Sequence, residues 1–538
     1  MTPAPTRLSK DKRTHLRYSL AISLAVALMF GTATAVEVYW AVALSTTDRA
    51  KAVEAMAPVE RVSGAGSSLL EAEVDNKLYY RVAAGPFPDR AKAIETRDLL
   101  RSGGWPDAWI LAGLDLTADP PEAPVGAGAL PASTASRTIT VGLTWISGPA
   151  LVVGTEGRIR AEGFAPEGAD APAVEAERAI ELVAEGDWIT VKTSDEDPGT
   201  KLAPPVTVEA DIGAIWLRES YRVYKGAIKV TRKQGSDSLY VADVLDVEDY
   251  LLSVLPAEIG GNSPKEAYKA QAVVARTEAL SFTGRHKDMG WDICDSTHCQ
   301  VFRGLYGQSP NQDIVRAVQE TCGEVLFSGS SMVRTASFHS SCGGWTESSE
   351  DVWGSRFAHL TNVGCRIDPG QMPDLRDEAI LRKYIEEANR KDLCYGGTGY
   401  RWKASVEVKA VEAGLARMVS AGTATVSGET AGIGAIRVAR RSARGAALEL
   451  RVPSGTGEYI IKGELNIRSL LGGPTLVKSG VFVILPVSKD GSIDIIGAGY
   501  GHGVGMCQDG AKALAKLGKD YKSILSFYYK GGSVVKVY

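Results

Sequence analysis

Four side chains that can bind a metal ion lie close together between residues 286 and 299. They are His286, Cys294, His298 and Cys299. Two histidines and two cysteines match a tetrahedral zinc ligand set by number, and four protein ligands leave no open position for water, as in a structural site. The spacing is not that of a zinc finger, and in an oxidising compartment Cys294 and Cys299 could instead form a disulfide. The segment therefore predicts a structural zinc site or a disulfide.

A carboxylate beside two glycines is a candidate for acid–base chemistry. Glu258 is expected on a turn between two helices, the first over residues 247–254 and ended by Pro256. A capping box with a proline predicts that the second helix starts at about residue 265 and runs to about residue 282. A surface glutamate without a catalytic role is the alternative interpretation of this position.

Further polar residues are candidates to contact a ligand. His502 lies among five glycines in residues 499–510, where the backbone can approach a ligand closely, although a structural histidine in a tight loop is the alternative. Lys269 and Arg276 lie on the predicted helix after Glu258 and can donate hydrogen bonds to sugar or carboxyl groups. The other candidates come from a strand end and the glycine turn after it, namely His339, Thr346 and Glu347.

Four blocks of the sequence resemble the signature of the SpoIID/LytB family. In chain order they are residues 250–277, 295–302, 338–347 and 499–511. The resemblance implies a mixed α+β catalytic domain with inserted strands, and a lytic transglycosylase that cleaves peptide-free glycan strands of peptidoglycan with Glu258 as the catalytic acid. Some members of the family bind zinc in the region that matches residues 286–299. Two departures from the family pattern, Glu278 for tyrosine and Cys507 for serine, leave the acid in place.

A lytic transglycosylase can work with one carboxylate, whereas an ordinary glycosidase needs two. The C6 hydroxyl of N-acetylmuramic acid is the internal nucleophile and forms an anhydro sugar, so no second carboxylate has to hold a water molecule. The acid then needs a raised pKa, which partial burial away from cations provides. Glu347 or Asp295 as a second carboxylate is the alternative and would make the protein a hydrolase. Another alternative is a non-catalytic, LytB-like enhancer of a cell-wall amidase.

A short internal repeat predicts a separate N-terminal domain. Residues 39–44 followed by 48–54 are similar to residues 79–84 followed by 89–95, and each copy has the pattern of a strand, a turn and a helix. Two such units predict a small split βαβ domain over residues 36–114. The second copy resembles the SPOR domain, which binds peptide-free glycan along its sheet. Its candidate glycan contacts are Tyr80, Arg81 and Phe87. Aromatic side chains on a small sheet are as often core residues.

Composition divides the rest of the chain. Residues 1–35 combine basic residues, an apolar run and a small-x-small motif, which is typical of a cleaved signal peptide, with an uncleaved membrane anchor as the alternative. Either predicts an extracytoplasmic protein, in the periplasm or the cell wall. Residues 115–136 are rich in proline and alanine and predict a linker. The catalytic domain is then expected over residues 137–538, with a loop or short helix at residues 163–180.

The seven cysteines of an exported chain can form disulfides, and their odd number leaves at least one without an internal partner. Cys322 and Cys342 flank a predicted hairpin and are one expected pair. Cys365 and Cys394 bracket a helical stretch and are the other, which leaves Cys507 unpaired.

The net charge of −4 gives no support for a nucleic-acid partner. The expected partners are peptidoglycan glycan strands and a cell-wall amidase, and membrane contact is expected only if residues 1–35 stay attached. The SPOR resemblance suggests the division septum, and the sequence does not distinguish cell division from sporulation or growth.

Overall fold

A computed structural model describes most of the chain in two compact units, which divide between Ala132 and Ser133. The described residues are 36–65, 67–74, 77–87, 90–105, 108–115, 137–146, 148–165, 173–218, 222–233, 235–305, 311–368, 370–488 and 491–538. The expected signal segment, and the expected linker apart from Asp115, lie outside these ranges. None of the helices within the described ranges is long and apolar enough to cross a membrane.

The N-terminal unit is a four-stranded antiparallel sheet with two helices. Its elements are β1 (Val36–Thr46), α1 (Arg49–Ser63), β2 (Ser67–Val74), β3 (Lys77–Phe87), α2 (Arg90–Ser102) and β4 (Trp109–Asp115). The strand order β2-β3-β1-β4 is the split βαβ arrangement that the repeat predicts. Small residues of the sheet, Ala41, Ala43 and Ala84, form a core with Val59 of α1 and Leu100 of α2, and their size lets the helices approach the strands closely.

The second unit begins with a ten-stranded sheet. Its strands are β5 (Thr138–Gly142), β6 (Ala150–Phe164), β7 (Val174–Glu185), β8 (Trp188–Lys192), β9 (Thr200–Ala210), β10 (Ile215–Leu217), β11 (Arg222–Tyr224), β12 (Ala227–Arg232), β13 (Leu239–Asp246) and β14 (Ile293–Cys294). Their order is β11-β10-β6-β7-β8-β9-β12-β13-β5-β14, and β6 also pairs with β9. The loop or short helix expected at residues 163–180 is wrong in part, because β7 begins at Val174. Glutamates at alternating positions place charged side chains on one side of this strand, opposite its apolar side.

Helices follow the sheet and carry the central blocks of the sequence. They and the strands among them are α3 (Val247–Ile259), α4 (Lys265–Ser281), a 3₁₀ turn (Lys287–Met289), α5 (Gln312–Glu320), β15 (Glu324–Ser328), β16 (Ser331–Met332), β17 (Phe338–His339), α6 (Ser349–Trp353) and α7 (Glu378–Glu386). Asp246 caps α3 as predicted, by accepting a hydrogen bond from the N–H of Glu248. The predicted end of α3 is wrong, because the helix continues through Pro256 to Ile259. Burial of Leu255 and Ile259 stabilises this last turn although Pro256 has no N–H to donate.

The C-terminal part adds three small sheets and packs onto α4. Its elements are β18 (Arg401–Glu407), α8 (Val408–Ser420), β19 (Ala424–Ser427), β20 (Arg437–Arg441), β21 (Ala447–Ser454), β22 (Gly457–Lys462), α9 (Glu464–Leu470), β23 (Phe482–Ile484), β24 (Ser492–Ala498), β25 (Met506–Cys507), α10 (Gln508–Lys516), α11 (Tyr521–Tyr528) and β26 (Gly532–Lys536). β25 pairs in parallel with β17. The side-chain amide of Gln508 donates to the side-chain oxygen of Gln271 in α4 over 3.2 Å. The first, third and fourth sequence blocks are thus linked to one another by these two contacts, in a unit of mixed α+β fold.

Candidate functional site

Glu258 lies in the last turn of α3 and not on a separate loop. Its side chain is half-buried. The carboxylate accepts a hydrogen bond of 2.7 Å from the backbone N–H of Val301, which belongs to the block at residues 295–302. The first two blocks of the sequence thus meet at this carboxylate.

The segment that carries Val301 is fastened to α3 by side chains of that helix. The phenol of Tyr250 donates to the side-chain oxygen of Gln300 over 2.7 Å, and its ring stacks on Phe302 with centroids 5.4 Å apart. The hydroxyl of Ser253 donates to the carbonyl of Gly304 over 2.7 Å. These contacts hold the N–H of Val301 at the carboxylate of Glu258.

The surroundings of Glu258 favour its protonated form. Burial raises the pKa of the Glu258 carboxyl, while the hydrogen bond from Val301 and the charge of Arg303 act in the opposite direction. Burial is the largest of the three effects, so the pKa stays above its ordinary value. A partly exposed carboxyl group whose pKa is raised in this way is suited to donate a proton.

His286, Cys294, His298 and Cys299 come together as the sequence predicts, with their ligand atoms all within 4.8 Å of one another. The Nε2 atom of His286 lies 3.4 Å from the sulfur of Cys299, and the Nδ1 atom of His298 lies 3.6 Å from each of the two sulfurs. The contact between the two thiols lowers the pKa of Cys294 and raises that of Cys299, so one of the two sulfurs takes the charge and the other keeps the proton.

These distances match a tetrahedral zinc site. Zn–N bonds of about 2.0–2.1 Å and Zn–S bonds of about 2.3 Å place neighbouring ligand atoms about 3.4–3.8 Å apart. Cys294 is held by β14, which pairs with β5 at the edge of the large sheet. Burial, and after it the charges of Glu258, Cys299 and Cys294, raise the pKa of the Tyr250 phenol, so the metal-ligand group and the acid both lie near this ring.

His339, Thr346 and Glu347, which the sequence analysis expects to contact sugar, are buried together in a second cluster. They are 4%, 0% and 1% exposed. The Nδ1 atom of His339 lies 3.1 Å from the carbonyl of Val504, and the hydroxyl of Thr346 accepts from the N–H of Val363 over 2.7 Å. The glycines around them, expected to let a ligand approach, instead let two chain segments pack against each other.

A cavity of about 10 Å³ lies beside Glu347 and His502. Its volume holds about one water molecule, and a sugar ring does not fit. Unpaired polar atoms of Glu347, Ser341 and Trp345 belong to residues that line it. Glu347 accepts a hydrogen bond of 2.9 Å from the hydroxyl of Ser442, and burial raises the pKa of its carboxyl to about 8.

His502 is the partly exposed member of this cluster. Its ring lies 5.7 Å from the ring of His339, and its Nδ1 atom accepts a hydrogen bond from the N–H of Val504 over 3.1 Å. Burial and the neighbouring His339 hold the pKa of His502 below its usual range, so the ring is neutral. Trp353, which the sequence analysis did not select, lies 5.2 Å from His502 and is 42% exposed. The sequence shows a tryptophan at this position, but it does not show that the side chain faces solvent.

Arg276 and Lys269 are occupied by ion pairs. Arg276 is fully buried, and its guanidinium donates to both carboxylate oxygens of Glu248 over 2.7 and 2.6 Å. Lys269 lies 2.8 Å from Glu266 and 2.7 Å from Glu320. The donors of Arg276 thus face protein groups in this structure, and its contact with glycan stays a prediction.

The three candidates of the N-terminal unit do not share one face. Tyr80 and Phe87 are half-buried and pack against the core between the sheet and its helices. Arg81 follows Tyr80 in β3, and its side chain therefore points to the opposite side of the sheet. Tyr80 and Phe87 are thus core residues, which is the alternative that the sequence left open.

The expected cysteine pairs do not form. Cys342 lies next to Cys394, with the two sulfurs 3.7 Å apart, and these two gather with Cys365 and Cys507. Cys322 lies elsewhere, near the charges of Glu248 and Arg276, although the hairpin predicted after it is present as β15 and β16. The residue left over is Cys322, whereas the sequence analysis expected Cys507.

Two family models match the second unit. One, described as stage II sporulation protein (SpoIID), covers residues 235–327, which include Glu258 and the four metal-ligand candidates. The other, a domain of unknown function (DUF8618), covers residues 348–505.

Relatives match over the same part of the chain. An uncharacterized protein of Brachyspira hyodysenteriae is 31% identical over 303 residues, which are 56% of this chain and 69% of that protein. The amidase enhancer of Bacillus subtilis is 32% identical over 306 residues, which are 52% of this chain and 39% of the relative. Stage II sporulation protein D of Bacillus subtilis is 26% identical over 304 residues, 54% of this chain and 74% of the relative. On the matched domain and on these relatives, the chain belongs to the SpoIID family.

Proposed function

We propose that this protein is a peptidoglycan lytic transglycosylase, with Glu258 as its acid and base. The observation that carries the proposal is the environment of this carboxyl group, which is half-buried, held by one backbone N–H and raised in pKa. The bond cut is the one between N-acetylmuramic acid and N-acetylglucosamine in peptide-free strands, with formation of anhydro-muramic ends.

The occupation of Asp295 and Glu347, the two carboxylates considered as alternatives, by protein partners supports a transglycosylase over a hydrolase. Asp295 is 2% exposed, and its carboxylate accepts hydrogen bonds from the N–H and the hydroxyl of Thr144. Glu347 is buried beside Ser442. In the described part of the chain, the charge that shifts the pKa of Glu258 is that of Arg303, and no acidic group is among the causes. A hydrolase would need a second carboxylate about 5–9.5 Å away to act on water or on the sugar.

The chemistry requires one group in two protonation states. Protonated Glu258 donates its proton to the glycosidic oxygen as the bond to the muramic acid carbon breaks. The resulting carboxylate then takes the proton of the C6 hydroxyl as that oxygen attacks the same carbon, which closes the anhydro ring and restores the acid. The hydroxyl is part of the substrate, so its high effective concentration replaces a bound water. The N–H of Val301 stabilises the carboxylate between the two steps.

The group of His286, Cys294, His298 and Cys299 is proposed to hold a structural zinc ion. Zinc bound there would supply a cross-link and no reaction chemistry, because four protein ligands fill a tetrahedral site. The cross-link would join β14 to the segment that presents Val301.

The N-terminal unit is proposed to bind peptide-free glycan in the manner of a SPOR domain. Its split βαβ topology supports this assignment, and Arg81 is the candidate that faces away from the helix-side core. An extracytoplasmic location and a cell-wall amidase as partner complete the proposal. The amidase link is supported by the similarity to a protein named amidase enhancer.

Digestion of glycan strands tests the proposed activity. The full chain and Glu258→Gln are incubated with sacculi stripped of stem peptides and with intact sacculi, and the products are identified by mass. We expect anhydro-muramic products from the stripped sacculi with the unaltered protein alone. Reducing-end products without an anhydro ring would indicate a hydrolase. No release, together with faster amidase action on intact sacculi, would show an enhancer without its own activity.

A further inference from the structure

Four cysteines from distant parts of the second unit converge in its core. Cys342 follows β17, Cys365 and Cys394 lie on either side of α7, and Cys507 begins α10. They are 6%, 0%, 1% and 0% exposed, and their sulfur atoms all lie within 4.8 Å of one another. Their neighbours belong to one apolar cluster that includes Tyr400, Val504 and Tyr528. This group shares no residue with the one formed by His286, Cys294, His298 and Cys299.

The arrangement of the sulfurs is that of ligands around one ion. Zn–S bonds of about 2.3 Å in a tetrahedron separate the sulfurs by about 3.8 Å, and the sulfurs of Cys342 and Cys394 are 3.7 Å apart. A disulfide requires about 2.05 Å between two sulfurs and would sort the four into pairs. We propose that Cys342, Cys365, Cys394 and Cys507 bind one structural zinc ion.

The surroundings stabilise the negative charge that four thiolates bring. The sulfur of Cys507 accepts hydrogen bonds from the N–H of Cys342 over 3.3 Å and from the N–H of Gly510 over 3.4 Å. The phenol of Tyr528 lies 3.2 Å from the sulfur of Cys365. Donors that point at the ligand sulfurs are typical of the outer shell of a metal site. Cys507 is also the N-cap of α10, where the helix dipole favours a negative charge.

Gly510 shows how closely the backbone packs on this group. A side chain at Gly510 would meet the hydroxyl of Tyr528 at 1.9 Å and the sulfur of Cys365 at 2.5 Å. Only a residue without a side chain lets the first turn of α10 approach both atoms. The same glycine supplies one of the donors to Cys507.

A zinc ion bound by all four cysteines would connect four segments of the chain at one point, whereas one disulfide connects only two. Cys342 also lines the small cavity beside Glu347 and His502, and Cys507 sits in β25, which pairs with β17. The ion therefore holds the glycine-rich block around His502 against the turn that carries Glu347. The binding of this zinc ion and the cleavage of glycan are separate properties, since Glu258 lies near the other metal-ligand group, that of His286, Cys294, His298 and Cys299.

The metal content of the full chain, purified under reducing conditions, tests the proposal. The most informative sample is the double variant Cys294→Ser/Cys299→Ser. It keeps all four cysteines of the proposed site, and the group at residues 286–299 has lost both of its sulfurs. We expect this variant to retain one zinc ion per chain, and its cobalt-substituted form to show the intense thiolate charge-transfer absorption of a four-sulfur site. A variant without bound zinc would overturn the proposal whatever its glycan activity.

Three further measurements complete the test. Cys394→Ser is expected to lose this zinc, and Cys322→Ser, which alters the cysteine outside both groups, is expected to keep it. A separate preparation, purified without any reductant and unfolded in an alkylating agent, should have all four thiols free once the metal is removed. Peptides linked through Cys342 and Cys394, or an iron chromophore in the purified chain, would contradict the zinc assignment. The measurements on the intact group remain decisive if Cys394→Ser fails to fold.

Discussion

The carboxylate of Glu258 and the backbone N–H of Val301 are 2.7 Å apart, although 43 residues separate them along the chain. This contact lowers the pKa of the carboxyl, and the burial that comes with it raises the pKa by more. The segment of Val301 therefore has two effects on Glu258: it covers the acid, and it gives its ionised form one partner.

Glu258→Gln is expected to fold normally and to lose cleavage of stripped glycan by about 10²–10⁴-fold. The amide has nearly the same shape, and its oxygen can still accept from Val301, but it has no proton to donate as an acid. The release of anhydro-muramic products and the thermal midpoint are measured together. Glu320→Gln is the control, because it removes an exposed carboxylate that pairs with Lys265 and Lys269. An equal loss of glycan cleavage in both variants would contradict the assignment of Glu258 as the acid.

The rate of cleavage is expected to fall as pH rises through the pKa of Glu258. The acid must be protonated to begin the reaction, and burial keeps its pKa above 4.5. Arg303→Gln removes a charge that lowers this pKa, so the alkaline limb of kcat/KM should move to higher pH. The full pH profile of both proteins is measured on stripped glycan. A limb that stays in place, or moves to lower pH, would rule out Glu258 as the titrating acid.

Glu347 is expected to make the protein less stable as pH rises toward 8. Its folded pKa of about 8 lies above the ordinary glutamate value of 4.5, so the folded chain keeps a proton that the unfolded chain has lost. The free energy of unfolding then falls between these two values by at most about 1.4 kcal/mol per pH unit. Urea unfolding at about pH 7 and pH 8 measures the slope, to which the buried carboxyls of Asp243, with a pKa of about 8, and Glu278, with a pKa of about 7, also contribute.

Glu347→Gln should reduce this slope, while Glu350→Gln, which changes an exposed carboxylate three residues away, should leave it as it is. An unchanged slope in Glu347→Gln would show that this carboxyl is ionised in the folded protein.

Arg276→Leu is expected to destabilise the second unit by about 3–5 kcal/mol. The substitution leaves the carboxylate of Glu248 without its main partner, and it also removes a hydrogen bond of 3.0 Å to the carbonyl of Glu324. The double variant Arg276→Leu/Glu248→Leu should lose less, because no charge is left unpaired. Unfolding by urea gives the three values. An Arg276→Leu protein of normal stability but weakened glycan binding would restore the role that the sequence analysis gave this residue.

Local signals in the sequence predicted local structure well. The repeat of residues 39–54 and 79–95 predicted the split βαβ topology, and Asp246 predicted the start of α3, because caps and period depend on residues a few positions apart. The end of α3 was missed, since Pro256 is a strong local stop signal and the burial that overrides it comes from residues distant in sequence. The capping box predicted at the start of α4 does not form, because the hydroxyl of Ser263 donates to the carbonyl of Ile259 instead of capping the helix.

The metal-ligand group at residues 286–299 could be predicted, because ligands within one short segment of sequence also lie close together in space. The second group was missed, because Cys342, Cys365, Cys394 and Cys507 lie on segments that only the folded core brings together.

The sequence by itself determined the family, the α+β class, the topology of the N-terminal unit and the identity of the residues that can do chemistry, since these depend on residue type and short-range pattern. Tertiary structure alone decided which of those residues reach solvent or a ligand. It left Glu258 half-exposed with Val301 as its partner, and it enclosed Arg276 and Glu347 among protein groups. The physical reason is that burial and pairing come from contacts between segments far apart in the chain, and these set pKa and access as strongly as residue type does.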